Sequence, residues 1–62
     1  MIKLIIKNHK TMAIIAEKSI ADNWWNVYLR MAIMDGRRII HHSENSYSVI
    51  YTEKNKVYTL VR

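Results

Sequence analysis

Three histidines, His9 and the adjacent His41 and His42, stand in this 62-residue chain with Arg37, Arg38, Glu44 and Tyr47 close to the pair. Together they include the groups a phosphodiester-cleaving site needs: a general base, an acid, and cations for the developing phosphate charge. The signal for that use is weak, because any basic β-rich domain carries the same residue types. Neighbours on a strand point to opposite faces, so His41 and His42 cannot jointly grip one metal ion. With no cysteine, the usual tetrahedral metal sets also lack their ligands. One glycine and no proline-rich or glycine-rich loop leave little chain from which to shape a cleft. The chain therefore reads as non-enzymatic, and nothing in it calls for a metal or a cofactor.

The balance of charge points to a binding role instead. Ten Lys and Arg face five Asp and Glu, a formal net charge of +5 with a sequence pI near 9.8. Such a surplus favours a polyanion, either nucleic acid or an acidic protein surface. The cations are dispersed along the sequence, with no run of five or six, so whether they converge depends on the fold. The apolar window between Lys3 and Lys7 is far short of the roughly 20 residues of a membrane span. A cytoplasmic protein with no membrane partner is expected, and in a host cell's cytoplasm if a phage encodes it.

A chain this short hides only about 60% of its unfolded surface, and disulfides are excluded, so dense packing or oligomerisation must help. Ile2, Leu4 and Ile6 alternate with Lys3, Ile5 and Lys7, the period of a half-buried strand. After the polar break Asn8 to Lys10, residues 11–17 resume alternation with Met12, Ile14 and Ala16 on one side, which predicts an opening hairpin. Three further β-rich runs, at 37–43, 46–52 and 56–62, predict an antiparallel meander. Between hairpin and meander, Ser19 and Asp22 resemble a shortened capping box, and Gly36 suits a left-handed C-cap, so a helix is expected over Ile20 to Asp35. The order is ββαβββ, an α+β domain with one helix laid on an antiparallel sheet.

That helix is apolar around too much of its circumference. At about 100° per residue, Asp22, Asn23, Asn26 and Arg30 form a narrow solvent arc, and Ile20, Trp24, Tyr28, Met31 and Ala32 lie opposite it. Trp25 and Leu29 fall on one flank, Val27 and Met34 on the other. A sheet covers only part of such a helix, so either the domain wraps its own flanks or a flank meets something else. A helix-turn-helix reading fails, because the face that would enter a major groove is aromatic and aliphatic.

The chain carries no family motif. In its size, its lack of cysteine and its Ile, Lys and Asn content, it resembles the small proteins that bacteriophages use to inhibit host machinery, including anti-CRISPR proteins and antitoxin mimics. The expected function is therefore to dock on and block a protein or nucleoprotein complex with an acidic surface. Trp25 and Leu29 would supply the apolar part and Arg30, Arg37 and Arg38 the charge. One alternative is sequence-independent DNA or RNA binding by an exposed sheet, with Tyr47, Tyr51 and Tyr58 stacking and Lys54, Lys56 and Arg62 holding phosphates. Another is a structural homodimer.

Overall fold

The computed structural model describes all of residues 1–62, in the order β1 Ile2–Asn8, β2 Ile14–Ile20, α1 Trp24–Met34, β3 Ile39–Ser43, β4 Ser46–Tyr51, a 3-10 turn at Thr52–Lys54, and β5 Lys56–Val61. The expected ββαβββ order of an α+β domain is what the chain adopts. All five strands form one sheet in the order β2-β1-β5-β4-β3, with every neighbouring pair antiparallel. The first and last strands are partners, from Lys3 opposite Val61 to Asn8 opposite Lys56. Helix α1 then connects the two edge strands, β2 and β3.

The register sorts the side chains into two faces. Leu4 is opposite Leu60, Leu60 opposite Tyr47, Tyr58 opposite Val49 and Val49 opposite Ile39, and directly paired residues share a face. This face meets the helix. Ile2, Leu4, Tyr47, Val49, Tyr51 and Leu60 pack with Trp25 and Ala32, and Tyr28 and Leu29 border them. The helix thus presents Trp25, Tyr28, Leu29 and Ala32, spaced i, i+3, i+4, i+7, to the sheet. The rings of Trp25 and Tyr47 meet edge to face, 4.7 Å between centroids at 83°, and the Tyr47 hydroxyl donates to the Trp25 carbonyl at 2.7 Å.

The opposite face carries Lys3, Ile5, Lys7, Val57, Thr59, Val61, Ser48 and Ile50, and no second layer lies on it. At its centre the Ser48 and Thr59 hydroxyls bond each other at 2.7 Å, and His42 Nε2 lies 2.7 Å from the same Ser48 oxygen. Two hydroxyls shielded by neighbouring strands therefore satisfy one another.

The helix begins later than its capping signal suggests. Ser19 and Ile20 pair with Lys3 and Ile2 as the last residues of β2, because an extended Ile20 continues the β1 ladder and joins the core edge. Asn23 takes the N-cap position without a side-chain cap bond, and the Asp22 carboxylate meets the Met1 amine at 2.9 Å. The C-terminus follows expectation. Gly36 adopts φ +67°, its N–H donates to the Ile33 carbonyl and that of Arg37 to the Ala32 carbonyl, which completes a Schellman cap. In the first hairpin, Met12 lies in a left-handed turn at φ +62° instead of in the strand, and the Asn8 side chain accepts from the Lys10 and Thr11 amides.

The Trp25–Tyr47 contact predicts an order of damage. Leu60→Ala should destabilise by about 2–5 kcal/mol through a cavity. Tyr47→Phe removes one hydroxyl bond and keeps the ring, so it should cost about 1 kcal/mol, or about 4–8 °C in Tm for a domain of this size. Thermal unfolding followed by circular dichroism tests both. A neutral Tyr47→Phe would show that the hydroxyl bond contributes nothing.

Candidate functional site

The sheet gathers at one end what the sequence scatters. Lys7 lies next to the end of β1, and Asn8, its last residue, opens the turn that projects His9 and Lys10 beyond it. The His9 amide donates to the Asn55 carbonyl, and Asn8 pairs with Lys56, which draws the 52–56 segment alongside. Lys56 also pairs with Tyr51, and the Ile50 amide donates to the Arg38 carbonyl, which brings in the chain leaving the helix cap. Lys7, Lys10, Arg37, Arg38, Lys54 and Lys56 therefore share one pole of the molecule with only Asp35 and Glu53 as acids. Six cations less two carboxylates leave +4 of the net +5 there.

Both carboxylates are taken up by one cation. Arg37 Nη1 lies 2.6 Å from Glu53 and Arg37 Nε 3.7 Å from Asp35, the second an ion-pair distance too long for a hydrogen bond. The guanidinium rests on the Tyr51 ring, 4.2 Å from its centroid, and the Lys54 ammonium approaches the same ring at 5.7 Å. The Glu53 carboxyl is held below the usual carboxylate range, first by its own backbone N–H and then by Arg37. Lys7, Lys10, Arg38, Lys54 and Lys56 have no carboxylate partner within ion-pair distance. A polar cleft of about 440 Å³ opens at this pole, lined by His9, Asp35, Gly36, Arg37, Arg38, Thr52 and Glu53, with Ile50 its one apolar wall.

The expected site residues are dispersed by the fold. Trp25 is no spare flank: it is 8% exposed, locked against Tyr47, and the Arg62 guanidinium covers its ring at 4.2 Å. Leu29 is half-buried against the core, Arg30 is exposed, Arg37 is engaged as above, and Arg38 is exposed. Ile20 belongs to β2 and not to the helix, and without it the apolar arc of α1 centres on Trp25, Tyr28, Leu29 and Ala32. The leftover apolar flank lies on the other side of the helix. Trp24 (42% exposed), Met31 (48%) and Met34 (79%) form a stripe with the half-buried Val27 at 3-4-3 spacing.

The stacking surface fails for a related reason. Tyr47 and Tyr51 are buried under the helix and Tyr58 is half-buried beside them, its ring 4.6 Å from that of Tyr51. None offers a free ring to a base. Arg62 sits at the far end of β5 from Lys54 and Lys56, donating to the Glu44 carbonyl at 3.0 Å, so the three do not converge. His41 and His42 do diverge: His41 is near Tyr47 on the helix side, and His42 bonds Ser48 on the open side. Comparison with family models, with curated proteins and with solved structures finds no match.

The covered tyrosines set an alkaline limit. Burial first, then the nearby Tyr51 and Tyr28, pushes the Tyr47 phenol up to about 12, and burial also raises Tyr51 and Tyr28. A phenol with a raised folded pKa holds more protons folded than unfolded, so its contribution is complete below the unfolded value of about 10. It is lost as pH climbs towards about 12. Tm should therefore fall steeply across that window, and less so in Tyr47→Phe; a flat profile would contradict the assignment.

Proposed function

We propose that this protein is a non-enzymatic binding protein that docks on and blocks a protein or nucleoprotein partner with an acidic surface. The observation that carries the reading is the exposed stripe Trp24, Val27, Met31 and Met34, which ends at the helix cap where the basic pole begins. Trp and Met are enriched at the buried centres of protein interfaces, where charges are depleted, and cations suit the rim that steers association. Arg30 borders the stripe and Arg38 lies just past its end, so the charged part of the docking face is Arg30 and Arg38. Arg37 instead braces the pole internally.

The resemblance in size and composition to phage-encoded inhibitors such as anti-CRISPR proteins favours a partner belonging to a host machine, in the host cytoplasm. No helix is long and apolar enough to cross a membrane. A protein this small acts by covering a surface, since a contact of ordinary size, about 800 Å² per partner, is a large share of its 4224 Å².

Capture from a lysate of the native cell tests the reading. Trp24→Ala and Met31→Gln should each weaken partner retention, the tryptophan by about 2 kcal/mol or roughly thirtyfold. Ile33→Gln, more exposed still but on the other side of the helix, should not. Retention that survives both stripe variants would sink the proposal. So would sedimentation showing a homodimer that Met31→Gln dissolves, because the stripe would then be covered by a second copy.

A further inference from the structure

We propose that the basic pole is a sequence-independent seat for nucleic-acid phosphates. The inference deepens the docking reading by naming what the cations meet, and it rests on side chains distinct from the helix stripe. Five of the six cations at the pole, Lys7, Lys10, Arg38, Lys54 and Lys56, lack a carboxylate partner, because Arg37 engages both Asp35 and Glu53. That arrangement also fixes the geometry. Arg37 ties the helix cap to the 3-10 turn, and its guanidinium is pinned on the Tyr51 ring. The free cations are thereby mounted on a braced frame made of the β1–β2 turn, the start of β3 and the start of β5.

Chemistry selects phosphate over base. The tyrosine at this pole, Tyr51, is buried and its ring is covered by Arg37 and Lys54, so it offers no face for stacking. With cations in excess and no free tyrosine, contact is chiefly to the backbone, and a duplex suits it better than a single strand because its charge density is higher. The cleft beside His9, Gly36, Arg38 and Thr52 also holds the Asp35 and Glu53 carboxylates, both engaged by Arg37, and leaves open space above Gly36 on the side of Arg38 that a phosphate can approach.

Counterion release makes this measurable. The affinity of the full chain for a short DNA duplex, read by fluorescence anisotropy from low to moderate salt, should fall with a log-log slope of about −4, from about −0.9 per phosphate neutralised. Arg38→Gln and Lys10→Gln should each flatten the slope by about 1. Lys18→Gln, far from the pole, should leave it unchanged, as should Met31→Gln on the helix stripe. All four should retain the wild-type circular dichroism, and neither Arg38→Gln nor Lys10→Gln should lower Tm, since each relieves repulsion at the pole. If no duplex binding is seen at low salt, or pole and distal variants lose affinity alike, the seat does not exist. If polyglutamate competes as well as the duplex, the pole meets acidic protein, and the phosphate assignment is wrong while the docking reading stands. Loss of capture in Met31→Gln with an unchanged duplex slope separates the two in the other direction.

Discussion

The ladder between β1 and β5 joins the first strand of the chain to the last, and nearly everything else follows from it. Two local systems meet at it, the meander β3–β4–β5 and the hairpin β1–β2, whose two strands alone are marginal in water. Pairing Leu4 with Leu60 and Ile6 with Tyr58 makes one face wide enough to hold a helix, with β5 at its centre. The same ladder pairs Asn8 with Lys56, so the hairpin turn and the 52–56 segment lie side by side. The core and the basic pole are thus two results of one long-range pairing. Because that pairing closes most of the chain length, its entropy must be lost before the contacts repay it, and folding is expected to be slow for so small a domain.

Local patterns were readable in advance, and long-range ones were not. Alternation at Ile2, Leu4 and Ile6, and at Tyr47, Val49 and Tyr51, marks faces that the structure buries in the same phase. Gly36 marks a helix end because a left-handed C-cap is a local backbone requirement. The helix start has no such local mark, since Ser19 and Ile20 satisfy a cap and a strand equally, and only the ladder to Lys3 and Ile2 decides between them. With the helix starting at Trp24, it is Trp25 that faces the sheet and Trp24 that stays on the flank. The spacing Trp25, Tyr28, Leu29, Ala32 was present in the sequence and would have favoured the observed face, had Ile20 been left out. The gathering of Lys7 and Lys10 with Arg38, Lys54 and Lys56 has no local signature, because it depends on which strands neighbour β5.

The two tryptophans show how little core such a chain has to distribute. Trp25 fills the space above Tyr47 and is closed off by Arg62, whose guanidinium lies over its outer face and whose backbone amide donates to the Asn45 carbonyl. Trp24, one residue earlier and about 100° away, leans on Tyr28 with centroids 5.7 Å apart and stays partly in water. A single helix over five strands leaves both this flank and the far side of the sheet without a second layer. The far side tolerates water because its central hydroxyls and His42 are bonded to one another and its rim carries Lys3 and Lys7. On the helix flank no such hydroxyl network interrupts Trp24, Val27, Met31 and Met34, and only Arg30 borders them, which is why it is the more costly surface to leave open.

The pole poses the opposite electrostatic problem. Five cations without carboxylate partners at one end repel one another in the free protein, and only solvent screening offsets that repulsion. The frame beneath them must be stiff enough to hold them together. Arg37 supplies that stiffness by bridging Asp35 and Glu53 over the Tyr51 ring, which makes it a brace even though it is itself one of the cations. A polyanion seated there would relieve the repulsion and bind the folded state alone, because the unfolded chain scatters the same lysines along its length. Binding would then add to folding stability by mass action. For a domain with so small a core, the charge that destabilises the free form and the partner that neutralises it are coupled through one surface.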